Sequence, residues 1–305
     1  FCRVRQNQDG HLVSLIYKKI IAQSIDPIEK KPIFHMKPGS TSYSIASIGC
    51  NFKCSFCQNA QIAQEATAKN AYDAGVDVEP EEIVNMAVDS GCQSISYTYT
   101  EPTVFLELAL ETARLAKERG LHNIFVTNGF MSRETLNLLL PVLSAANEDL
   151  KAFDEAFYKK YCKARLGPVK DTIESLKDAG ILVELTTLLI PGLNDGKKEL
   201  SAMAHYIEET LGADTPWHIS RFHPCHRMTD RGPTPISSLE RAWQIGRDAG
   251  LSYVYIGNVP GTDYENTFCH GCGEPIIERY GYRTRSFLKD GKVCPKCGSI
   301  CAGIF

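Results

Sequence analysis

From residue 42 onward, short apolar runs that suit buried strands alternate with amphipathic stretches that suit helices. The predicted strands span 42–49, 94–100, 123–129, 148–153, 182–192, 217–222 and 253–258. The predicted helices span 79–91, 102–119, 132–143, 169–180 and 197–212, and a last one opens with a capping box at 237–240 and ends at Gly250. Helix 102–119 repeats apolar residues at the i, i+3, i+4 spacing of one buried face.

This alternation implies parallel strands that are joined by right-handed crossovers. About six strand–helix units predict an α/β fold with a partial (β/α)6 barrel, whose chemistry would lie at the C-terminal ends of the strands. A doubly wound open sheet would have the same string of elements. The pattern alone therefore leaves both architectures open.

The two ends of the chain differ from this middle part. Residues 1–40 contain short β-type runs at 11–17 and 19–25, and several prolines and glycines follow them. We therefore predict an N-terminal β-rich extension over 1–40, a barrel over 41–262 and a small C-terminal metal ribbon over 263–305.

Composition narrows the setting without naming a function. The 305 residues are 43% apolar and 23% charged, with a net charge of −3, so the whole surface has no strong attraction for nucleic acid or anionic membranes. No apolar run approaches the roughly 18–20 residues of a spanning helix. Seven of the 12 cysteines lie in tight metal-type clusters, which favours a reducing, cytoplasmic setting over a secreted one.

Three cysteines follow the first predicted strand within the sequence IGCNFKCSFCQN. Cys50, Cys54 and Cys57 have the spacing C-x-x-x-C-x-x-C, and the aromatic Phe56 precedes the last of them. Three thiolates can hold three corners of a cubane 4Fe-4S cluster and leave one iron open for a substrate or cofactor. A zinc site or scattered core cysteines are the alternatives.

A second group of cysteines lies near the C-terminus. Cys269-x-x-Cys272 and Cys294-x-x-Cys297 are separated by 21 residues, which is typical of a four-thiolate site for structural zinc or rubredoxin-type iron. Cys301 leaves open a second iron–sulfur cluster. The stretch between the two pairs is rich in basic and aromatic residues, which suits nucleic acid, but a solvated ribbon face explains it better.

Polar residues gather at the predicted strand ends. A zwitterionic ligand needs an acceptor for its ammonium group, a cation for its carboxylate and partners for its hydroxyl groups. Glu101, Lys151, and Asn128 or Thr127 supply those three types. As a set at one end of a barrel, they favour a binding site.

Six motifs carry a family resemblance: GCNFKCSFCQN, YTYTEPT, VTNGF, DLKAF, LLIPGLND and PWHISRFHP. In this order they resemble the radical S-adenosylmethionine (SAM) enzyme of the AmmeMemoRadiSam system, a relative of the pyruvate formate-lyase activating enzymes. The resemblance covers nearly the whole chain. It implies a radical SAM barrel with a 4Fe-4S cluster at Cys50, Cys54 and Cys57, whose open iron binds the amino and carboxylate groups of SAM.

The resemblance also implies roles for single residues. Glu101 would accept the SAM ammonium, Lys151 would lie near the SAM carboxylate, and Asp149 would help to hold a monovalent cation, although Val126 stands where relatives carry a second acid. The residues predicted to contact the cofactor are Phe56, Glu101, Thr127, Asn128, Asp149, Lys151, Thr187 and His223. Residues 1–7 resemble the tail of a longer cysteine motif, so we expect a truncated chain in which Cys2 is the remnant of a metal site.

The implied reaction starts when the reduced cluster passes an electron to SAM. The 5′-deoxyadenosyl radical then takes hydrogen from an unidentified substrate, in an oxidoreductase or transferase. Implied partners are an electron donor such as ferredoxin or flavodoxin, and Memo-like and AMMECR-type proteins. The alternatives are a glycyl-radical enzyme activase and a non-catalytic zinc-ribbon scaffold that binds nucleic acid or protein.

Overall fold

The computed structural model describes the backbone of residues 1–305 and every side chain except those of residues 68 and 69. Its strands are β1 (Arg5–Gln8), β2 (His11–Ser14), β3 (Lys19–Ile20), β4 (Ala22–Pro27), β5 (Thr41–Ala46), β6 (Val76–Asp77), β7 (Ser94–Tyr97), β8 (His122–Thr127), β9 (Ala145–Asp149), β10 (Leu182–Leu189), β11 (Trp217–Arg221), β12 (Val254–Gly257), β13 (Thr267–Phe268), β14 (Pro275–Tyr280) and β15 (Arg283–Ser286).

Most of the longer helices connect strands of the central sheet. The α-helices are α1 (Ala60–Ala63), α2 (Ala68–Ala71), α3 (Pro80–Asp89), α4 (Leu106–Glu118), α5 (Arg133–Leu139), α6 (Glu155–Phe157), α7 (Leu166–Asp178), α8 (Lys197–Tyr206) and α9 (Ile236–Asp248). Short 3-10 helices lie at Ile28–Lys30, Pro102–Phe105 and Asp263–Glu265, and π-helical turns at Tyr158–Cys162 and Ile207–Leu211. Among the described residues, no helix is long and apolar enough to cross a membrane.

The central sheet has eight strands in the described chain, in the order β12-β11-β10-β9-β8-β7-β5-β4. Strands β5 and β7 to β12 pair in parallel, and β4 joins the edge antiparallel to β5. The spatial order follows the chain order throughout, whereas a doubly wound sheet reverses direction at a switch point. The predicted α/β partial barrel is therefore confirmed, with six helical crossovers between its parallel strands.

Alternation along the strands separates a helix-facing side from an inner side. A Cβ added to Gly246 of α9 would lie 3.1 Å from the Trp217 ring, so Trp217 packs directly against that helix. Its neighbour His218 points the other way and bonds to Glu184 inside the barrel. Successive residues of a strand therefore face the helices and the barrel interior in turn.

The inner side of the sheet is covered by a segment of the N-terminal extension. Ile28, Ile33 and Met36 form a buried cluster with Ile124 of β8 and Ala145 of β9. The chain between 28 and 36 therefore fills the lower part of the barrel, where the sequence predicted only extended structure and turns.

A buried carboxylate ties this segment to the barrel. Glu184 accepts hydrogen bonds from the Phe34 and His35 backbone N–H groups at 2.8 Å and from His218 Nε2 at 2.7 Å. Burial raises the pKa of Glu184, but the hydrogen bonds from His218 and the Phe34 N–H, together with the nearby histidines, outweigh it and hold the pKa below its ordinary value. The Glu184 side chain is therefore an ionised acceptor for three donors.

The C-terminal module packs against the same segment through polar contacts. Its strands β13, β14 and β15 form a small antiparallel sheet. Arg279 donates to the Phe34 carbonyl of the extension at 2.8 Å, and Thr267 Oγ1 lies 2.9 Å from the hydroxyl of Tyr255, which belongs to strand β12 of the barrel. The module is thus connected to both the extension and the barrel, while the domain limits at 40 and 262 stay a prediction.

We expect Glu184→Ala to lower the free energy of unfolding by about 3–5 kcal/mol, because the change leaves a histidine and two buried N–H groups without their acceptor. Urea unfolding followed by circular dichroism measures this. The matched control is Glu118→Ala, which removes an exposed glutamate at the end of α4. Equal losses in the two variants would contradict the role of Glu184 as the connection.

Several predicted boundaries differ from the structure, among them the starts of β9 and α9. Strand β9 begins at Ala145 rather than at residue 148, because two fully buried alanines pair with β8 and β10 before the acidic residues begin. Helix α9 begins at Ile236 after Pro235, whose extended ψ of 141° starts the helix one residue early, and no side chain caps it. The expected capping box at 237–240 therefore lies inside the first turn.

Candidate functional site

A pocket of about 220 Å³ lies at the C-terminal edge of the sheet. Its walls come from the ends of successive strands and the loops that follow them. They include Cys50, Cys54, Phe56, Cys57, Tyr99, Thr100, Asn128, Asp149, Lys151, Thr186, Leu188 and Ser220. Because residues from β5 through β11 border one cavity, the sheet curves around it as a barrel wall does.

The cysteine loop that follows β5 is held by backbone contacts. Gly49 has a φ of 106°, and a Cβ there would lie 2.9 Å from a Val4 methyl group, so this turn requires glycine. Farther along, the Lys53 N–H donates to the Cys162 carbonyl at 2.9 Å, and the Ser55 N–H donates to the Tyr161 carbonyl at 2.9 Å. The loop is therefore fixed at its start and in its middle.

The sulfur atoms of the loop are largely shielded from water. Cys50 Sγ accepts from the Phe52 N–H at 3.3 Å and from Asn128 Nδ2 at 3.4 Å. Burial raises the pKa of Cys50 to about 12, and the nearby Cys162 thiol together with burial raises the pKa of Cys54. Loss of these thiol protons is therefore coupled to the binding of a metal.

The spacing of the sulfurs distinguishes between a cluster and a single ion. In the described chain, only Cys269, Cys272, Cys294 and Cys297 bring three or more histidine, cysteine or carboxylate ligand atoms within 4.8 Å of one another. The three loop sulfurs are therefore spread more widely than the ligands of one zinc ion. Three thiolates that each bind a different iron of a cubane need such a spread, so the donor set fits a 4Fe-4S cluster.

A cation and an anion lie side by side in the pocket wall. Lys151 Nζ is 2.6 Å from Asp149 Oδ2. Burial lowers the pKa of Lys151, but the Asp149 carboxylate together with the Cys54 and Cys162 sulfurs outweighs this effect and raises the pKa well above its ordinary value. Lys151 is therefore a shielded ammonium group that can bind a ligand carboxylate.

Glu101 and Thr127 lie behind the pocket wall instead of on its surface. Glu101 Oε1 accepts from the Thr103 N–H at 3.1 Å and from Thr127 Oγ1 at 2.8 Å, while Oε2 accepts from the Asn128 N–H at 2.8 Å. Glu101 thus caps the 3-10 helix Pro102–Phe105 and joins the ends of β7 and β8. It positions Asn128, which does border the pocket.

Two further predicted residues lie outside the pocket. Thr187 faces the helices, where its hydroxyl donates to the Leu150 carbonyl at 2.8 Å and accepts from Trp217 Nε1 at 3.0 Å. Thr186 has the opposite parity and borders the pocket in its place. His223 is exposed in the loop after β11 and is not among the lining residues.

Sequence reasoning missed the pocket residues that follow the last loop cysteine. Gln58, Asn59 and Gln64 border the cavity, and Gln64 Nε2 donates to the Cys54 carbonyl at 2.7 Å. The available signal was a run of polar amides directly after Cys57. It reads equally well as an ordinary solvated turn.

The four C-terminal cysteines are gathered as the sequence predicted. Sγ–Sγ distances are 3.5 Å for Cys269–Cys297 and 3.8 Å for Cys272–Cys294. A tetrahedral ion with metal–sulfur bonds of about 2.3 Å separates its ligands by about 3.8 Å, so this set fits one metal ion. Cys301 stands outside the four, and the Tyr253 hydroxyl donates to its sulfur at 3.6 Å.

Comparisons with known proteins agree with this arrangement. The radical SAM superfamily model matches residues 44–204. An uncharacterized protein of Methanocaldococcus jannaschii is 45% identical over 98% of this chain and 88% of its own length. A pyruvate formate-lyase-activating enzyme of Streptococcus mutans is 25% identical over 70% of this chain and 77% of its own. SuiB of Streptococcus suis bound to SAM has a similar fold, with a TM-score of 0.54 and 13% identity over 76% of this chain and 54% of that one.

Proposed function

The chain belongs to the radical SAM superfamily, and from this premise we propose that it cleaves SAM in the pocket at the C-terminal edge of the sheet. One observation carries the proposal. Cys50, Cys54 and Cys57 border a cavity that also contains the Lys151–Asp149 pair. Three thiolates and a ligand-binding ammonium group in one shielded pocket suit a cluster with SAM beside it.

In this proposal the three cysteines hold a 4Fe-4S cluster. Such a cluster, when bound and reduced, would supply the electron for cleavage of a carbon–sulfur bond of SAM. The thiols lose their protons when the cluster is bound. Asn128 Nδ2, 3.4 Å from Cys50 Sγ, gives that sulfur a hydrogen bond that influences the redox potential.

Other side chains orient the ligand and exclude water. The Lys151 ammonium binds the SAM carboxylate, and Asp149 keeps that ammonium in place. Thr186 and Ser220 offer hydroxyl groups, while Phe52, Phe56 and Leu188 belong to the apolar part of the wall. Glu101 acts by positioning Asn128 rather than by direct contact.

The motifs further support the AmmeMemoRadiSam system as the specific family. With it come Memo-like and AMMECR-type partner proteins, an electron donor such as ferredoxin or flavodoxin, and a cytoplasmic, reducing setting. Zinc or iron at Cys269, Cys272, Cys294 and Cys297 completes the proposed set of cofactors. The substrate is left open.

A second candidate is a glycyl-radical enzyme activase. It is favoured by the similarity to the S. mutans activating enzyme over 70% of this chain. An activase would create a glycine-centred radical on a large partner, which electron paramagnetic resonance detects. Absence of this signal would mean that the substrate is not a glycine residue of such a partner.

The test of SAM cleavage is anaerobic. The protein is reconstituted with iron and sulfide, given SAM and dithionite, and 5′-deoxyadenosine is quantified by chromatography. We expect this product with dithionite and none without it. Cluster-loaded protein that forms no 5′-deoxyadenosine would contradict the proposal and favour the scaffold alternative.

A further inference from the structure

Tyr99 adopts a backbone conformation that side chains of its size rarely take. It lies directly after β7 and borders the pocket, with a φ of 61°. The left-handed region is unfavourable for bulky residues and is kept only where the surroundings impose it. The contacts around Tyr99 therefore show which groups hold the residue in this conformation.

Two contacts hold Tyr99 from opposite sides. Asn59 Nδ2, next to the cysteine loop, donates to the Tyr99 carbonyl at 2.7 Å. At the other end of the residue, the Tyr99 hydroxyl donates to the Asp26 carboxylate. Asp26 pairs in register with Ser42 of β5, at the end of that strand remote from the cysteine loop. The ring therefore extends from the pocket into the barrel.

Asp26 is itself firmly held. Its carboxylate accepts from Lys30 Nζ at 2.8 Å and from the buried Lys31 Nζ at 2.5 Å. Lys31 Nζ also lies 4.5 Å from the centre of the Tyr99 ring, within the range of a cation–π contact. Burial raises the pKa of Asp26, but its hydrogen bonds outweigh this and keep the carboxylate ionised.

We propose that Tyr99 is a specificity-determining residue whose ring closes the inner end of the pocket, with Asp26 as its positioning residue. This inference rests on the proposed function. Tyr99 borders the pocket while its hydroxyl is bonded to Asp26. The ring therefore limits the size of the group that a bound ligand can place at the inner end of the cavity.

The test enlarges the pocket and asks what then binds. Tyr99→Asn removes the ring while keeping a residue that tolerates the left-handed region. The probes are SAM and two analogues, one with a bulkier alkyl group on sulfur and one with a benzyl group on the adenine amine. Equilibrium dialysis with cluster-loaded protein gives the affinity of each analogue relative to SAM.

We expect that relative affinity to rise at least about 10-fold for one analogue in Tyr99→Asn and about 3-fold in Asp26→Asn. The matched control is Tyr17→Phe, which removes a tyrosine–carboxylate hydrogen bond of 2.5 Å to Glu111 on the surface. It should leave both ratios unchanged.

Unchanged ratios in Tyr99→Asn, with SAM still bound, would overturn the inference alone. If Tyr99→Asn does not fold, the ratios of Asp26→Asn decide in the same way. Failure of the wild-type protein to bind SAM would instead overturn the proposed function, and the inference with it.

Discussion

Cys54→Ala is expected to abolish both cluster assembly and SAM cleavage. Cys54 is buried, borders the pocket and is the middle member of the three loop cysteines. Its loss leaves two thiolates, which cannot hold three corners of a cubane. We expect the rate of 5′-deoxyadenosine formation to fall by more than the roughly 10–100-fold that loss of an outer-shell partner costs a metal site.

Acid-labile sulfide is the decisive measurement for this variant, because a mononuclear four-thiolate site contains none and cannot mask the loss. The matched control is Cys92→Ala. Cys92 is equally buried but lies 3.5 Å from Ser90 Oγ after helix α3, and it does not border the pocket. Sulfide retained by Cys54→Ala, or lost by Cys92→Ala, would contradict the assignment of the cluster.

The architecture could be predicted because its signals are local. Each strand and each helix has its own hydrophobic period, and the spacing of the two C-x-x-C pairs alone predicts a metal site. Even the position of Thr186 follows from parity, since residues two apart on β10 share a face. Thr187 has the opposite parity, which places its side chain on the helix-facing side of the sheet and away from the pocket.

Other features depend on contacts between distant parts of the chain. Asp26 holds Tyr99 from 73 positions earlier, and nothing near either residue signals the other. The segment 28–36 fills the barrel through contacts with β8, β9 and Glu184 of β10. The Glu101 carboxylate is a chemical group that could bind a ligand. In the structure, however, Thr103 beside it and Thr127 of β8 donate hydrogen bonds to its oxygen.

The second large effect concerns the C-terminal metal. We expect Cys294→Ser to lose the ion and to unfold the C-terminal module, because β13, β14 and β15 form a sheet too small to be stable alone. Structural zinc contributes about 10–16 kcal/mol of apparent binding free energy in comparable small domains, and that energy is folding energy. Limited proteolysis with mass spectrometry should then show cleavage between residues 263 and 305.

The effect should also reach the barrel, because Arg279 of this module donates to the Phe34 carbonyl inside the N-terminal segment. Unfolding of the module removes that buried contact, so the melting temperature of the whole chain should fall as well. Cys301→Ser is the matched control, since its sulfur lies outside the group of four. Metal analysis of the two variants tests the assignment of the four ligands. If Cys294→Ser keeps one ion, or Cys301→Ser loses it, then Cys301 is a ligand and the four-cysteine assignment is wrong.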